Sequence, residues 1–218
     1  MKRKLLAVIM VFVVLTMAGC GGGSSPPTNI VTQIVSDQAF DGDIEQVSGG
    51  TLAVTQGGNL LSVFAGIDPV TGLETRAFLD FPLTGAGGVP GNAVIVSAFL
   101  DIVISSITPN PLTGTIPIRI DLVSFQPPNI VGSDFDRTSQ PALATMTISP
   151  AISQVDFGNH ISVDVTSLMV EAQRLGLRDF QVRILEDLGG VPEGLIEIND
   201  TTGANRSTLA PLLEVTYF

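Results

Sequence analysis

The sequence has one cysteine, one histidine, one tyrosine and no tryptophan in 218 residues, and each scarcity closes off a kind of chemistry. A single thiol forms no internal disulfide, so a folded domain here must be held by its core. Zinc sites are built from four Cys, His or carboxylate ligands, which one Cys and one His do not favour. Serine or cysteine nucleophiles need a base beside them. His160 is the only histidine, it opens the segment HISVDV, and no G-x-S-x-G elbow accompanies it. Lysine is absent after position 4. The apolar run at 5–16 is 12 residues long, about 18 Å as a helix, well short of a hydrocarbon core of ~30 Å.

That run has a telling setting. Lys2, Arg3 and Lys4 precede it, and Ala18 and Gly19 lead from it into Cys20. A positive start, a short apolar stretch and small residues form the pattern of a secretory signal peptide. The step Met17-Ala18-Gly19-Cys20 resembles a bacterial lipobox, with Met where Leu is commoner. The resemblance implies that residues 1–19 are cut away and that Cys20 is acylated. Two or three acyl chains at ~0.8 kcal/mol per buried CH₂ anchor stably, where one chain binds only marginally. The alternative is an ordinary secreted protein with a leftover thiol. Residues 20–29 then read as a tether, flexible through Gly and Ser and extended by Pro26 and Pro27. Gly21 stands where an Asp can mark inner-membrane retention, which favours the outer membrane or cell surface in bacteria of that type.

Beyond Gly19 the cations are seven arginines, Arg76, Arg119, Arg137, Arg174, Arg178, Arg183 and Arg206, against all 21 acids, a formal charge of −14. Such a charge repels nucleic acid and anionic lipid, so no nucleic-acid partner is expected. Nothing in the sequence requires a cofactor. Calcium stays open because it asks only for oxygen ligands. Asp41-Gly42-Asp43-Ile44-Glu45 offers carboxylates at alternate positions, and Asp134 and Asp136 offer two more. In a loop such carboxylates converge on one ion; in a strand they share the solvent face. Leu52 at the twelfth position from Asp41 rules out EF-hand spacing. Asp41 and Asp43 are the better candidates, by analogy with sandwich modules that hold calcium near the first strand.

From residue 30 onward the chain reads as short strands separated by Gly, Pro and Asn. Thr75, Ala77, Leu79 and Phe81 alternate with Arg76, Phe78 and Asp80, and Ile116, Ile118, Ile120 and Leu122 alternate with Pro117, Arg119, Asp121 and Val123. The second series is close to the period-2 pattern of a half-buried strand. The run at 93–104 is too uniformly apolar to assign its faces. Other strands are expected at 30–35, 51–55, 60–65, 143–149, 160–165, 179–185, 194–198 and 211–217. DVTSLMVEAQRLG predicts one short helix near 166–176, with Thr166 or Ser167 as N-cap and Gly176 past its last turn. About ten strands at this spacing predict an all-β, antiparallel β-sandwich or jelly roll, and 30–218 is long enough for one such domain with a full core.

Four segments in order, LSVFAGIDPVTGLETRAFLDFPL, VPGNAVIVSAFLDIVI, HISVDVTSLMVEAQRLGLRDFQVRIL and RSTLAPLLEVTYF, are similar to the DNRLRE-type domain of bacterial surface proteins. The resemblance implies a jelly roll of the carbohydrate-binding-module type, a building block of secreted and cell-surface proteins, some of which bind acidic polysaccharide. The chain departs from it in lacking tryptophan, and Tyr217 lies in the last strand, where core packing is the ordinary role. Sugars are usually stacked on Trp or Tyr; here the 11 phenylalanines would have to serve.

The expectation is a membrane-anchored extracytoplasmic lipoprotein of the cell envelope acting as a non-enzymatic structural or binding module, through protein assembly or adhesion. The alternative is a carbohydrate-binding module, calcium-assisted or not. No carboxylate pair stands out for glycoside hydrolysis. Arg178 and Arg183, flanking DFQV, suit a grip on a carboxylate or a solvated cross-strand pairing.

Overall fold

Alternation becomes structure most directly in two strands, and in both the face left for water is covered. The computed structural model describes residues 28–109, 111–125, 129–187 and 193–218; the signal segment, Cys20 and tether residues 20–27 lie outside them. The strands are β1 (Ile30–Val35), β2 (Gly42–Val47), β3 (Thr51–Gln56), β4 (Ser62–Ile67), β5 (Glu74–Pro82), β6 (Ile95–Pro109), β7 (Thr115–Ile116), β8 (Ile118–Val123), β9 (Ala144–Thr147), β10 (Ile152–Ser153), β11 (His160–Asp164), β12 (Asp179–Glu186), β13 (Gly194–Asn199) and β14 (Leu212–Tyr217). Twelve of them make one curled antiparallel sheet, and β7 pairs with β10 apart from it. The fold is an all-β antiparallel sandwich. β2 and β10 were not expected. In β2 the acids hide the strand pattern.

β6 organises the curl. The first part of this 15-residue strand pairs with β14 on one side and β11 on the other, and its last part pairs with β13. The register shifts between Glu197, opposite Ser106, and Ile198, opposite Ile104. Ser105 is the extra residue, and its Oγ accepts a bond from Asn199 Nδ2 at 3.1 Å. A bulge of this kind bends a strand and strengthens its twist. Beyond β14 lies β1, and beyond β13 lies β4. The other layer is β2, β5, β12, β8 and β9, with β3 hanging on β2. Between the layers Ala77, Leu79, Phe81, Ile118, Ile120 and Phe180 meet Ala98, Leu100, Ile102, Leu213 and Val215, all fully buried.

Where the layers part, β4 and β12 compete for β5. β4 pairs with its first two residues and β12 with Ala77 to Pro82. The fork would leave backbone N–H groups orphaned, at a cost of ~1–3 kcal/mol each if buried. Glu186, buried at the end of β12, fills it: Oε2 accepts the N–H of Ile67 at 3.1 Å and that of Gly194 at 3.4 Å.

Helix α1 (Thr166–Arg174) buries Leu168, Met169 and Ala172 and packs against β6, β9 and β12, closing one end of the sandwich. Its start is tied by Asp164, whose Oδ1 accepts the N–H and hydroxyl of Thr166, rather than by Thr166 or Ser167 as caps. Gly176, at φ +66°, carries the chain out of it. A single helical turn at Arg206–Leu209 was not expected.

The outer face of β5, β12 and β8 is the departure from the half-buried reading. Phe78, Asp121, Val123 and Arg183 are fully buried there, because the segment after β8 folds back over them. Phe125, Ile130 and Phe135 from that segment pack with Phe78, Val123 and Ile44, and Phe125 meets Phe78 edge-on at 5.9 Å. Arg183 stands opposite Asp121 in the ladder and grips its Oδ2 at 2.8 Å, while Nη1 donates to the carbonyls of Asp134 and Gln140. Thr145, Arg119 and Arg137 complete the surroundings of Asp121, at 2.8, 3.2 and 3.3 Å. Removing one member of a buried pair strands the other and costs ~3–5 kcal/mol. Asp121→Ala is therefore expected to lower the unfolding free energy by about that much in a urea titration, whereas Arg174→Ala, which breaks an exposed pair on α1, leaves the midpoint within error.

Candidate binding face

The outer surface of β1, β14, β6 and β11 is set by the same alternation that fills the core. With Ala98, Leu100 and Ile102 inward, Ser97, Phe99 and Asp101 point outward. Pairing aligns them in rows. Gln33, Glu214, Phe99 and Asp164 form one row, and Val35, Leu212, Asp101 and Ser162 the next, with His160 beside Val103 beyond. Phe99 is 37 % exposed, unusual for a ring in mid-strand. A shallow groove of 340 Å³ runs between Gln33, Phe99, Asp101, Ser162, Leu212 and Glu214.

The polar groups around the ring are held in place. Gln33 Nε2 donates to Glu214 Oε2 at 2.8 Å, and His160 Nδ1 lies 2.6 Å from Asp101 Oδ1. The other oxygens of Asp101 and Glu214 have no hydrogen-bond partner among the described residues. The face thus offers one apolar ring, a set of acceptors, an amide and an imidazole. That composition suits a ligand with an apolar face and outward hydroxyls. Three carboxylates around Phe99 disfavour an anion. His160 has an orienting carboxylate in Asp101.

The sequence-picked acids go elsewhere. Asp41 and Asp43 flank the start of β2 and are buried, neither converging in a loop nor sharing a solvent face. Asp43 Oδ2 accepts the N–H of Phe64 at 3.1 Å. Asp41 Oδ1 accepts the N–H of Asp80 at 2.8 Å, and its Oδ2 lies 3.6 Å from Arg206. Arg206 also binds Asp200 at 2.7 Å and the carbonyl and hydroxyl of Ser36. Two buried carboxylates thus face one guanidinium, and each keeps an oxygen without a hydrogen bond. Burial, with the Asp200 charge next, holds the Asp41 carboxyl well above the usual range. Asp41 and Asp43 sit in separate networks, and among the described residues no three His, Cys, Asp or Glu side chains gather as for a metal. Asp134 accepts the N–H of Val131, and Asp136 ties Thr138 and Ser139. Arg183 does grip a carboxylate, but inside the fold, and Arg178 is exposed. Cys20 lies outside the described residues.

Sequence reasoning missed Phe99, Asp101, Gln33, Glu214 and Ser162. One signal was available: Ser97 and Asp101 share a parity in the run at 93–104 and mark its wet side, with Phe99 between them. No family model matches the chain, and no curated protein matches it.

Burial raises the Asp43 and Asp80 carboxyls to about 6 and that of Glu186 to about 7. Unfolded, these groups ionise near 4. Between about pH 4 and 7 the folded chain therefore holds more protons than the unfolded one, and stability falls as pH rises through that window. Asp121 runs oppositely: burial works to raise it, but the bonds from Arg183 and Thr145 outweigh that and hold it below the usual range, so its contribution is lost in stronger acid. Thermal melts should show Tm rising from about pH 8 to about pH 5 and falling below about pH 4. Asp43→Asn and Glu186→Gln should each flatten the upper slope; a Tm that rises with pH across that range would contradict the assignment.

Proposed function

We propose that the protein is a lipid-anchored, non-enzymatic binding module of the bacterial cell envelope that uses the Phe99 face to hold an uncharged, hydroxyl-rich glycan. The anchor rests on the lipobox-like step into Cys20 and the short apolar run before it. The family we read it in is that of the DNRLRE-type surface domains, on the four segments named above. The observation that carries the ligand class is the exposed ring of Phe99 between Glu214 and Asp164 in its own row, with Asp101 and Ser162 in the next. It departs from the acidic polysaccharides bound by some domains of that type, because Asp101, Glu214 and Asp164 would repel them.

A second reading, protein assembly, is favoured by one feature. Among the described residues β3 shares a ladder with β2 alone, its sequence TLAVTQ carries no charge or proline, and Leu52 and Val54 on it are exposed. An uncharged edge strand is a template for strand addition.

Replacing Cys20 with Ser should move the protein from the membrane to the soluble fraction, read by fractionation and by loss of acyl mass on the N-terminal peptide. Covering a Phe ring is worth ~1.5–3 kcal/mol, so Phe99→Ala should weaken binding to a neutral polysaccharide roughly tenfold or more, measured by titration calorimetry, with Tm little changed. Binding only to anionic polysaccharides, indifferent to Phe99, would refute the ligand class. No glycan binding, with assembly lost on Leu52→Lys, would move the function to the β3 edge.

A further inference from the structure

One end of the sandwich is apolar and its side chains carry no net charge, in a domain that is otherwise strongly acidic. Ile30, Val31, Val94, Val96, Val170 and Phe218 are each 44–58 % exposed. They are neighbours. Val94 and Phe218 exchange backbone hydrogen bonds at 2.9 and 3.1 Å, and Ile30 is opposite Tyr217. Val94 and Val170 line one open hollow of 430 Å³ with Gln173 and Arg174. Val96 is two residues further along the chain, in β6. Segments 28–31, 89–97 and 216–218 contain no charged side chain. On the adjoining helix Glu171 and Arg174 cancel each other at 2.6 Å. All this stands against a formal −14 for the chain beyond Gly19.

The position of the chain's entry says what covers this end. Ile30 opens β1, and Cys20 precedes Thr28 by eight residues, which reach roughly 29 Å at full extension. An acylated Cys20 therefore keeps the point where the chain enters this end within roughly 29 Å of the bilayer. Anionic headgroups repel the acidic remainder and tolerate this uncharged end, and exposed apolar side chains at an interface gain by entering the headgroup–acyl boundary. We propose that the end of the sandwich bearing Ile30, Val94, Val170 and Phe218 rests on the lipid surface, so that the domain lies docked rather than swinging on its tether. The proposal rests on acylation of Cys20 and adds an orientation that acylation alone does not impose.

The chain has no tryptophan, so a single introduced indole is a clean depth reporter. Val94→Trp and Val170→Trp place it at the apolar end. Val155→Trp is the control: Val155 is exposed in the turn after β10, where Gln154 binds the carbonyl of Ile107, up to about 40 Å along β6 from Ile95 at ~3.3 Å per residue. Each full-length protein, lipidated in cells, is reconstituted into vesicles of phosphatidylethanolamine and phosphatidylglycerol, part of it brominated along the acyl chains. The mass of the N-terminal peptide reports whether Cys20 carries acyl groups. With acylation present, quenching at positions 94 and 170 should exceed that at 155 by about twofold or more, with blue-shifted emission. Equal quenching at all three positions on acylated protein would overturn the docking while leaving the anchor intact, and would assign the apolar end to a protein partner. An unacylated Cys20 would remove the anchor and the docking together.

Discussion

Everything in the domain is hung on the one long strand β6, which serves both parts of its layer. Fifteen residues is well beyond the usual strand of five or six. The strand can be that long because the bulge at Ser105 lets it bend with the curl of the sheet. Its first part holds β11 and β14 and so lays out the rows around Phe99. Its last part holds β13, and through β13 the strand β4 that leads into the other layer. The residues just before it, at Val94, belong to the apolar end beside the chain's entry. One strand therefore relates the face proposed for recognition to the end proposed to meet the membrane, and a slip of one residue would turn Phe99 inward and Leu100 out.

The acidic character of the chain hides a second economy. No disulfide crosslinks the described residues, and beyond residue 4 there is no lysine, so arginine alone supplies cations. Much of that supply is turned inward. Arg183 is fully buried against Asp121, Arg76 lies under Phe135 with its guanidinium 4.1 Å from the ring, and Arg206 ties Ser36, Asp41 and Asp200 where β1 and β13 end. Buried charge is a costly way to gain stability, but it fixes partners: Arg183 accepts only an arrangement in which the segment after β8 lies over β12. The consequence outside is a surface whose acids are left largely unmatched, which accounts for the contrast with the neutral end at Val94.

The layers were legible wherever alternation was clean. Ala77, Leu79 and Phe81 and the series Ile118, Ile120 and Leu122 are core as their spacing says, and the helix near 166–176 is where its pattern puts it. What the pattern could not say is that the other faces of β5 and β8 are covered as well. That depends on the segment after β8 folding back, a non-local event with no period. β2 was hidden because the alternating Asp41, Asp43 and Glu45 fit a hydrophilic loop as well as a strand, when two of the three are buried by partners that come from β4, β5 and the turn at Arg206. The Phe99 face was hidden for the opposite reason. Its strand is so apolar that neither side looks wet until Ser97 and Asp101 are set against each other.

Amide hydrogen exchange of the intact protein reports whether a ligand sits on the face around Phe99. The measurement is made with and without a saturating neutral polysaccharide. Slowed exchange confined to β1, β14, β6 and β11, with β3 and β9 unchanged, is the result the account predicts. Slowed exchange confined to β3, or none on the Phe99 strands despite bound glycan, would contradict it.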